Sequence, residues 1–352
     1  IMKKELLIGT ALVSTLGAAS VAEAVTATMS GNHQTGVEFD SATGGTDTRA
    51  QINDNNFTVS LSETTDGGMT ISSSFMLANE DAVDGDLDAG FTLAFTDGSK
   101  LDVLNAGNAS GSHDISIPGS AGSEGVTVTT ANSAPTGLDF ATTATVFGVE
   151  YHTASDFLAD GLSMSFSAST DNGAAATSTY KLDGHYALGA TYVTDAGDTA
   201  VTIGAGISQS EGAKTGTQLT ADNGGIHVGI SAVTGDLTVA VGFADGDSIG
   251  STGTSTNDVQ VDGEVMKAGV KYVSGDLTFN VGVASGSAQD SETVGTAGTT
   301  EDSKDVTSAS VSYAVASGVT AILGYTDVDS GNEGKNDTTD GSAWYIGANM
   351  SF

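Results

Sequence analysis

The chain has 352 residues, of which 48 are glycine, only two are proline and none is cysteine. Its formal charge is −34 at pH 7, because 44 Asp and Glu outnumber 10 Lys and Arg. A strongly acidic chain is a poor partner for nucleic acid, whose phosphates are bound by Lys and Arg. Without cysteine, no disulfide framework stabilises the fold, so backbone pairing and packing must do so.

The N-terminus has the pattern of an export signal. Lys3 and Lys4 form a basic start, an apolar stretch follows from Leu6 to Val21, and Ala22-Glu23-Ala24 is a cleavage site of the A-x-A type. A transmembrane anchor is the alternative, but the apolar run is shorter than the roughly 20 residues that a spanning helix needs. We therefore predict a signal peptide over residues 1–24 and a mature chain over residues 25–352.

The mature chain is dominated by residues that alternate between apolar and polar, which indicates β-strands. The clearest case runs from Leu162 to Ser169, where apolar residues alternate with serines. Similar stretches recur along the chain, at 57–61, 69–78, 91–95, 101–103, 145–152, 186–192, 201–207, 226–230, 237–243, 266–272, 277–283, 309–315 and 321–325. The pattern predicts an all-β fold.

The connections between these strands alternate strictly in length. Eight long gaps lie near 40–48, 79–90, 105–142, 170–184, 209–224, 245–263, 286–305 and 328–342. Seven short gaps lie between them and are rich in Gly and Asp, at 66–68, 97–98, 153–160, 195–198, 234–236, 274–276 and 317–318. Short turns at one end, long loops at the other and sixteen strands are typical of a bacterial outer-membrane barrel.

The longest gap, 105–142, contains both prolines and three acidic residues, Asp114, Glu124 and Asp139. A loop of this length is usually functional or disordered. Rings of charged side chains select ions in channels. We therefore take these three acids as candidates for a pore constriction, the alternative being that they are solvated loop carboxylates away from any pore.

Several ionisable residues lie on the face of their strand that is opposite the apolar residues. A Lys that faces lipid at the bilayer midplane would cost about 2 to 4 kcal/mol, so a place on the inner wall is favoured. The pore-wall candidates are Glu150, His152, Lys267, Lys271, Lys100 and Asp102, the last two near the short-turn rim.

The last strand, Ala343 to Phe352, has one face made only of apolar residues and ends on an aromatic residue. Its predicted membrane-facing residues are Trp344, Ile346, Met350 and Phe352. A final strand of this kind resembles the closing strand of Gram-negative outer-membrane barrels.

With the signal peptide, the alternating connections, the long third loop and the C-terminal Phe352, the chain resembles the sixteen-stranded general diffusion porins, especially the alphaproteobacterial type. The resemblance covers essentially all of the mature chain and rests on topology. It implies an antiparallel transmembrane β-barrel with an inward-folded third loop, a homotrimer in outer-membrane lipid, and passive diffusion of ions and small hydrophilic solutes without a cofactor.

The chain departs from that family in its basic residues. Such porins place a cluster of arginines opposite the acidic loop, whereas this chain has a single arginine, Arg49, near the start of a strand. We therefore expect a weak transverse field and a preference for cations.

The motifs of zinc proteases and of nucleotide-binding enzymes are absent from the sequence, which contains no His-Glu-x-x-His or P-loop pattern. The five histidines, at 33, 113, 152, 185 and 227, occur singly, which argues against a metal site. We expect a protein that is not an enzyme and has no cofactor.

Two other functions are compatible with the composition. A secreted acidic surface adhesin or surface-layer protein would explain the charge, the missing cysteines and the export signal, but not the alternating connections or the terminal Phe352. A barrel with a binding site for one class of solute would be expected to carry an aromatic track or an arginine ladder, and neither is apparent.

Overall fold

A computed structural model describes residues 25–42, 47–78, 90–104, 108–119, 148–169, 182–212, 223–251, 258–290, 300–332, 337–338 and 340–352. The predicted signal peptide, residues 1–24, lies outside the described residues. Among the described residues no helix is long and apolar enough to cross a membrane.

The described residues form antiparallel strands and one short 3-10 helix. In chain order the strands are β1 Thr26–Ala42, β2 Thr48–Thr64, β3 Thr70–Ala78, β4 Phe91–Ala94, β5 Lys100–Val103, β6 Gly148–His152, β7 Leu162–Ser169, β8 Leu182–Ala196, β9 Thr199–Gly212, β10 Asn223–Thr234, β11 Leu237–Ser251, β12 Asp258–Ser274, β13 Leu277–Asp290, β14 Thr300–Ala316, β15 Val319–Asn332, β16 Asp337–Thr338 and β17 Gly341–Ser351. The 3-10 helix, Gly111–His113, follows β5.

Sixteen of these strands close into a barrel, as the sequence predicts. Each strand from β1 to β15 pairs with the next, β15 pairs with β17, and β17 returns to β1. The remaining strand, β16, has two residues and pairs with the end of β15 inside the last long connection. A closed antiparallel barrel satisfies the backbone groups of every strand, which lipid requires.

The short turns explain why the strands reverse so tightly. Each of the seven short connections contains one glycine with a positive φ, for example Gly235 at 56° and Gly275 at 61°. Residues other than glycine rarely adopt a positive φ, and two-residue hairpin turns depend on this conformation. These glycines fix one end of the barrel.

At the long-loop end, some strands extend beyond the residues that alternate in the sequence. The alternation ends near Phe243 in β11 and begins near Met266 in β12, yet the two strands stay paired as far as Ser251 and Asp258. Backbone pairing continues past the point where lipid would impose an apolar face, so the pattern of side chains underestimates strand length.

The two faces of the wall differ in composition. Val241, Met266 and Val281 are among the exposed apolar side chains of the outer face. On the opposite face, small or polar residues such as Ala240 and Ser208, and the apolar Val265, are buried inside the barrel. Sixteen strands enclose more space than wall side chains fill, so the interior can hold both a loop and water.

The chain end completes the closure. The backbone of Phe352 exchanges two hydrogen bonds with Gly31 of β1, at 3.2 and 3.1 Å. Its ring lies 6.0 Å from that of Phe57, and the residue is 71% exposed on the outer face.

Candidate functional site

A segment of the third long loop, residues 108–119, lies along the inner face of the wall. Ala109 is fully buried near β7 and β8, whereas Pro118 and Gly119 approach β12 and β13. The segment therefore crosses about half of the barrel circumference. It is the part of the predicted loop 105–142 that brings chain into the lumen within the described residues.

Glycines of the wall make this close approach possible. A Cβ atom on any of them would collide with the loop segment, mostly with its backbone. Several pair with one another across neighbouring strands, such as Gly189 with Gly206 and Gly269 with Gly282. We call this set the glycine track; it consists of Gly189, Gly204, Gly206, Gly229, Gly269 and Gly282. Glycine inside a strand often marks the approach of another backbone.

The first half of the segment is held by hydrogen bonds. The Ala109 amide donates to Ser167 Oγ at 3.0 Å, and Ser112 Oγ donates to Glu150 Oε1 at 2.7 Å. From β10, His227 Nε2 donates to the carbonyl oxygen of Ser110 at 2.8 Å. These contacts come from three different strands, so they fix the segment in two directions.

His113 connects the loop segment to a series of hydrogen bonds between side chains, called the hydrogen-bond chain. Its Nδ1 lies 2.7 Å from Thr191 Oγ1, and its Nε2 lies 2.8 Å from Ser165 Oγ. Ser165 Oγ is also 2.7 Å from His152 Nδ1, and His152 Nε2 is 2.9 Å from Asp102 Oδ2. The chain thus runs from the loop through β7 and β6 to β5.

One arrangement of protons satisfies every group in this chain. Thr191 donates to His113 Nδ1, His113 Nε2–H donates to Ser165, Ser165 donates to His152 Nδ1, and His152 Nε2–H donates to the Asp102 carboxylate. Both imidazoles are neutral in this arrangement. Burial lowers the pKa of His113 from 6.5 to about 4, with smaller contributions from His152 and His227.

The second half of the segment is held by apolar packing. Ile115 and Ile117 are buried together with Ala240, Ala244 and Val265 of β11 and β12. Burying an Ile side chain contributes about 1.5 to 3 kcal/mol. We call residues 108–114 the polar anchor and residues 115–119 the apolar anchor.

Asp114, at the junction of the two anchors, is exposed and interacts electrostatically with Lys267 of β12. The structure therefore brings together one acid of the loop and one base of the wall. Glu124 and Asp139, the other two predicted loop acids, lie outside the described residues.

The remaining wall candidates form two groups. Near the short-turn end, Lys100 Nζ is 3.8 Å from Asp102 Oδ2, and Glu150 Oε1 is 3.4 Å from His152 Nε2. Thr92 Oγ1 also donates to Asp102. Lys271 lies four residues after Lys267 on the same face of β12 and is exposed.

The four closing-strand candidates and the single arginine lie on the outer face. Trp344, Ile346, Met350 and Phe352 are all exposed along the closing strand. Arg49 pairs in register with Phe39 of β1, and its guanidinium lies 5.7 Å from the centre of that ring. Arg49 is thus on the face opposite the buried Glu38, away from the loop segment.

Sequence reasoning missed most of the residues that hold the loop. In the sequence, His113 and His227 occur as isolated histidines, and Ser165 and Ser167 are polar positions of an alternating strand. A usable signal was present, because six successive strands from β8 to β13 carry a glycine near their centres. Among the described residues, no cluster of His, Asp or Glu has an arrangement that could hold a metal ion.

Comparison with known proteins agrees with this architecture. The family model described as "Gram-negative porin" matches residues 9–332. A porin structure refined at 1.8 Å is 18% identical, with a TM-score of 0.60, over 93% of this chain and all of the other. The anion-selective porin from Comamonas acidovorans is 11% identical, with a TM-score of 0.59, over 94% of this chain and all of the other.

The outer-membrane protein OmpT of Vibrio cholerae, in its trimer form, is 14% identical, with a TM-score of 0.58, over 94% of this chain and all of the other. No curated protein matches the sequence. The closed barrel and the family match do not favour the surface-adhesin alternative. The chain belongs to the Gram-negative porin family and forms a channel in the outer membrane.

Proposed function

We propose that this porin is a cation-preferring diffusion pore for ions and small hydrophilic solutes. The observation that carries the proposal is the charge of −34 in a chain whose single arginine lies on the outer face. A carboxylate-rich channel mouth raises the local concentration of cations. The fold by itself leaves ion preference open, because the Comamonas acidovorans porin of similar fold is anion-selective.

The local pairing of charges supports a weak transverse field. Asp114 interacts with Lys267, and Lys100 lies beside Asp102, so each of these bases has an acidic neighbour on the same part of the wall. Paired charges of opposite sign largely cancel at a distance. The preference for cations therefore arises from the overall excess of acidic residues. The pore-wall candidates Glu150, His152 and Lys271 modulate this preference.

The test is the reversal potential across a potassium chloride gradient in a planar lipid bilayer. We expect a potential of the cation-selective sign. Asp114→Asn should reduce cation preference and Lys267→Met should increase it, because each change exposes the charge of the remaining partner. Glu264→Gln, on the outer face of the same strand as Lys267, is the matched control and should have little effect. A reversal potential of anion-selective sign would refute the proposal.

We also propose that the protein is a homotrimer, with Trp344, Ile346, Met350 and Phe352 facing lipid or a neighbouring copy. The outer aromatic and aliphatic surface supports this proposal, as does the trimer form of the Vibrio cholerae OmpT. Conductance steps that arrive in groups of three, and a trimer band after chemical cross-linking, are the expected results. A band at monomer mass alone after cross-linking, together with conductance steps that arrive singly, would contradict the homotrimer.

Glu124 and Asp139 remain predicted constriction acids. Replacing each by its amide, Glu124→Gln and Asp139→Asn, should reduce cation preference if the side chain reaches the water path. Export through a signal peptide over residues 1–24 also remains a prediction, and N-terminal sequencing of the membrane-inserted protein should begin at Val25.

We further propose that the protein has no hydrolytic activity, although Ser165, His152 and Asp102 have the residue types of a serine hydrolase triad. Ser165 is only 2% exposed. Its hydroxyl already receives a hydrogen bond from His113 while it donates to His152. A nucleophile needs access to the substrate carbonyl and a nearby oxyanion site. The expected result is no turnover of p-nitrophenyl esters above that of Ser165→Ala.

A further inference from the structure

We propose that His113 is the positioning residue that pins the constriction segment to the wall, and that its protonation releases the segment and narrows the pore. Channel formation is established by the family; this inference concerns how the chain sets the width of its own pore. It does not depend on the cation preference proposed above.

The first argument is the position of His113 in the hydrogen-bond chain. It is the loop residue that links two strands at once, with Thr191 of β8 on one nitrogen and Ser165 of β7 on the other. It also lies directly over Gly189, where a Cβ atom would collide with the imidazole ring. His113 as a whole is 7% exposed, so little of it is in contact with water.

The second argument is the direction of the hydrogen bonds. Ser165 Oγ has a single proton, which it gives to His152 Nδ1, and it accepts the Nε2–H of His113. Protonation of His113 adds a proton at Nδ1, so Thr191 Oγ1, which lies 2.7 Å away, can no longer donate to that nitrogen. The added positive charge is buried next to His152 and His227, and both histidines oppose it.

The charged and titratable groups around His113 do not compensate it directly. Those on neighbouring elements are Asp102 and Lys100 on β5, Glu150 and His152 on β6, His185 on β8, His227 on β10, Lys267 on β12, and Asp114 on the loop itself. The Asp102 carboxylate contacts His152, Glu150 accepts from Ser112, and Asp114 interacts with Lys267. Among the described residues, the charged groups that shift the pKa of His113 are two other histidines, His152 and His227, and both oppose its protonation.

The consequence for the pore follows from where the segment lies. Docked on the glycine track, residues 108–119 approach the wall as closely as the backbone allows, which leaves the lumen at its widest. A released segment remains tethered at both ends and can only move inwards. Conductance should therefore fall, and current fluctuations should increase, when His113 becomes charged.

The experiment measures single-channel conductance in planar bilayers as the pH is lowered from 7.5 to 3.5. For the unmodified protein we expect a reversible fall with a midpoint between pH 4 and pH 6.5, the pKa of His113 in the docked segment and its ordinary value. His113→Gln keeps a donor and an acceptor but cannot be protonated in this range. It should have nearly normal conductance at pH 7.5 and a smaller fall at acid pH.

His33→Gln is the matched control, because His33 lies on β1 beside Asn55, far from the segment. It should retain the pH profile of the unmodified protein. Protonation of carboxylates lowers conductance in all three proteins, so the difference between His113→Gln and the other two is the quantity that matters. Identical profiles for all three would overturn the proposal.

A second measurement remains informative if His113→Gln inserts poorly. The chain has no cysteine, so Ala109→Cys introduces a single thiol at a fully buried loop position. Its rate of reaction with dithiodipyridine, which modifies thiols at acid pH, is divided by that of Ser274→Cys, at the exposed last residue of β12. We expect this ratio to rise several-fold as the pH falls from 7.5 to 4. A constant ratio would contradict release of the segment. Reversal potentials from the same bilayers at pH 7.5 report cation preference separately.

Discussion

The polar and apolar anchors hold one short segment to one wall by different physics. In the polar anchor, His113, Ser112 and Ser110 each depend on a partner of defined protonation and direction. In the apolar anchor, Ile115 and Ile117 depend on the area they remove from water, to which protons are indifferent. The difference indicates that acid can detach one end of the segment while leaving the other end in place.

Removing apolar area should have the largest effect on docking. Ile115→Ala leaves a cavity against Ala240 and Val265, and such changes cost about 2 to 5 kcal/mol. We expect frequent current fluctuations and faster labelling of Ala109→Cys, to the same extent at pH 7.5 and pH 4.5. Ile207→Ala removes an equal side chain from the outer face, where Ile207 is 53% exposed, and should leave the loop unchanged. A strong pH dependence of the Ile115→Ala effect would erase the distinction between the anchors.

The polar anchor should contribute stability that depends on pH. The pKa of His113 is about 4 in the folded protein and 6.5 as its ordinary value, so its contribution is complete above pH 6.5 and is lost as the pH falls towards 4. At about 1.4 kcal/mol per pH unit, the full loss is on the order of 3 kcal/mol. Thermal denaturation followed by circular dichroism at pH 7.5 and 4.5 should show a larger drop for the unmodified protein than for His113→Gln. Equal drops would mean that other groups carry the pH dependence.

The glycine track lies under both anchors, so a side chain added there should disturb either one. In Gly269→Val the new side chain would meet the backbone of Pro118, and overpacking of this kind costs about 1 to 3 kcal/mol. We expect conductance to fall because the segment is pushed into the lumen. Ala268→Val is the control, because it adds two carbon atoms, one fewer than Gly269→Val, to the opposite face of β12. Unchanged conductance in Gly269→Val would show that the segment does not depend on close contact at this point.

The barrel could be predicted from the sequence because lipid imposes a strict alternation on every strand. Short turns with glycine and a closing strand ending in Phe352 gave its topology. Prediction of the site was weaker, since Asp114 was chosen for its charge, whereas the structure gives the main contacts to His113, Ser112 and Ile115. These contacts join residues far apart in sequence, such as His113 and Thr191, and no periodicity within one strand reveals them.

The smallest expected effect comes from one hydrogen bond of the polar anchor. Ser167→Ala removes the acceptor of the Ala109 amide and should cost about 0.5 to 1.5 kcal/mol. Ser169→Ala is a close control, because Ser169 is two residues further on the same face of β7 and its buried hydroxyl has no hydrogen-bond partner among the described residues. We expect Ser167→Ala to raise the labelling rate of Ala109→Cys slightly and Ser169→Ala to leave that rate unchanged. An unpaired buried hydroxyl carries only a desolvation cost, so removing that of Ser169 should be neutral or stabilising. Equal effects of Ser167→Ala and Ser169→Ala would mean that the loss of serine volume, and not the bond to the loop, loosens the polar anchor.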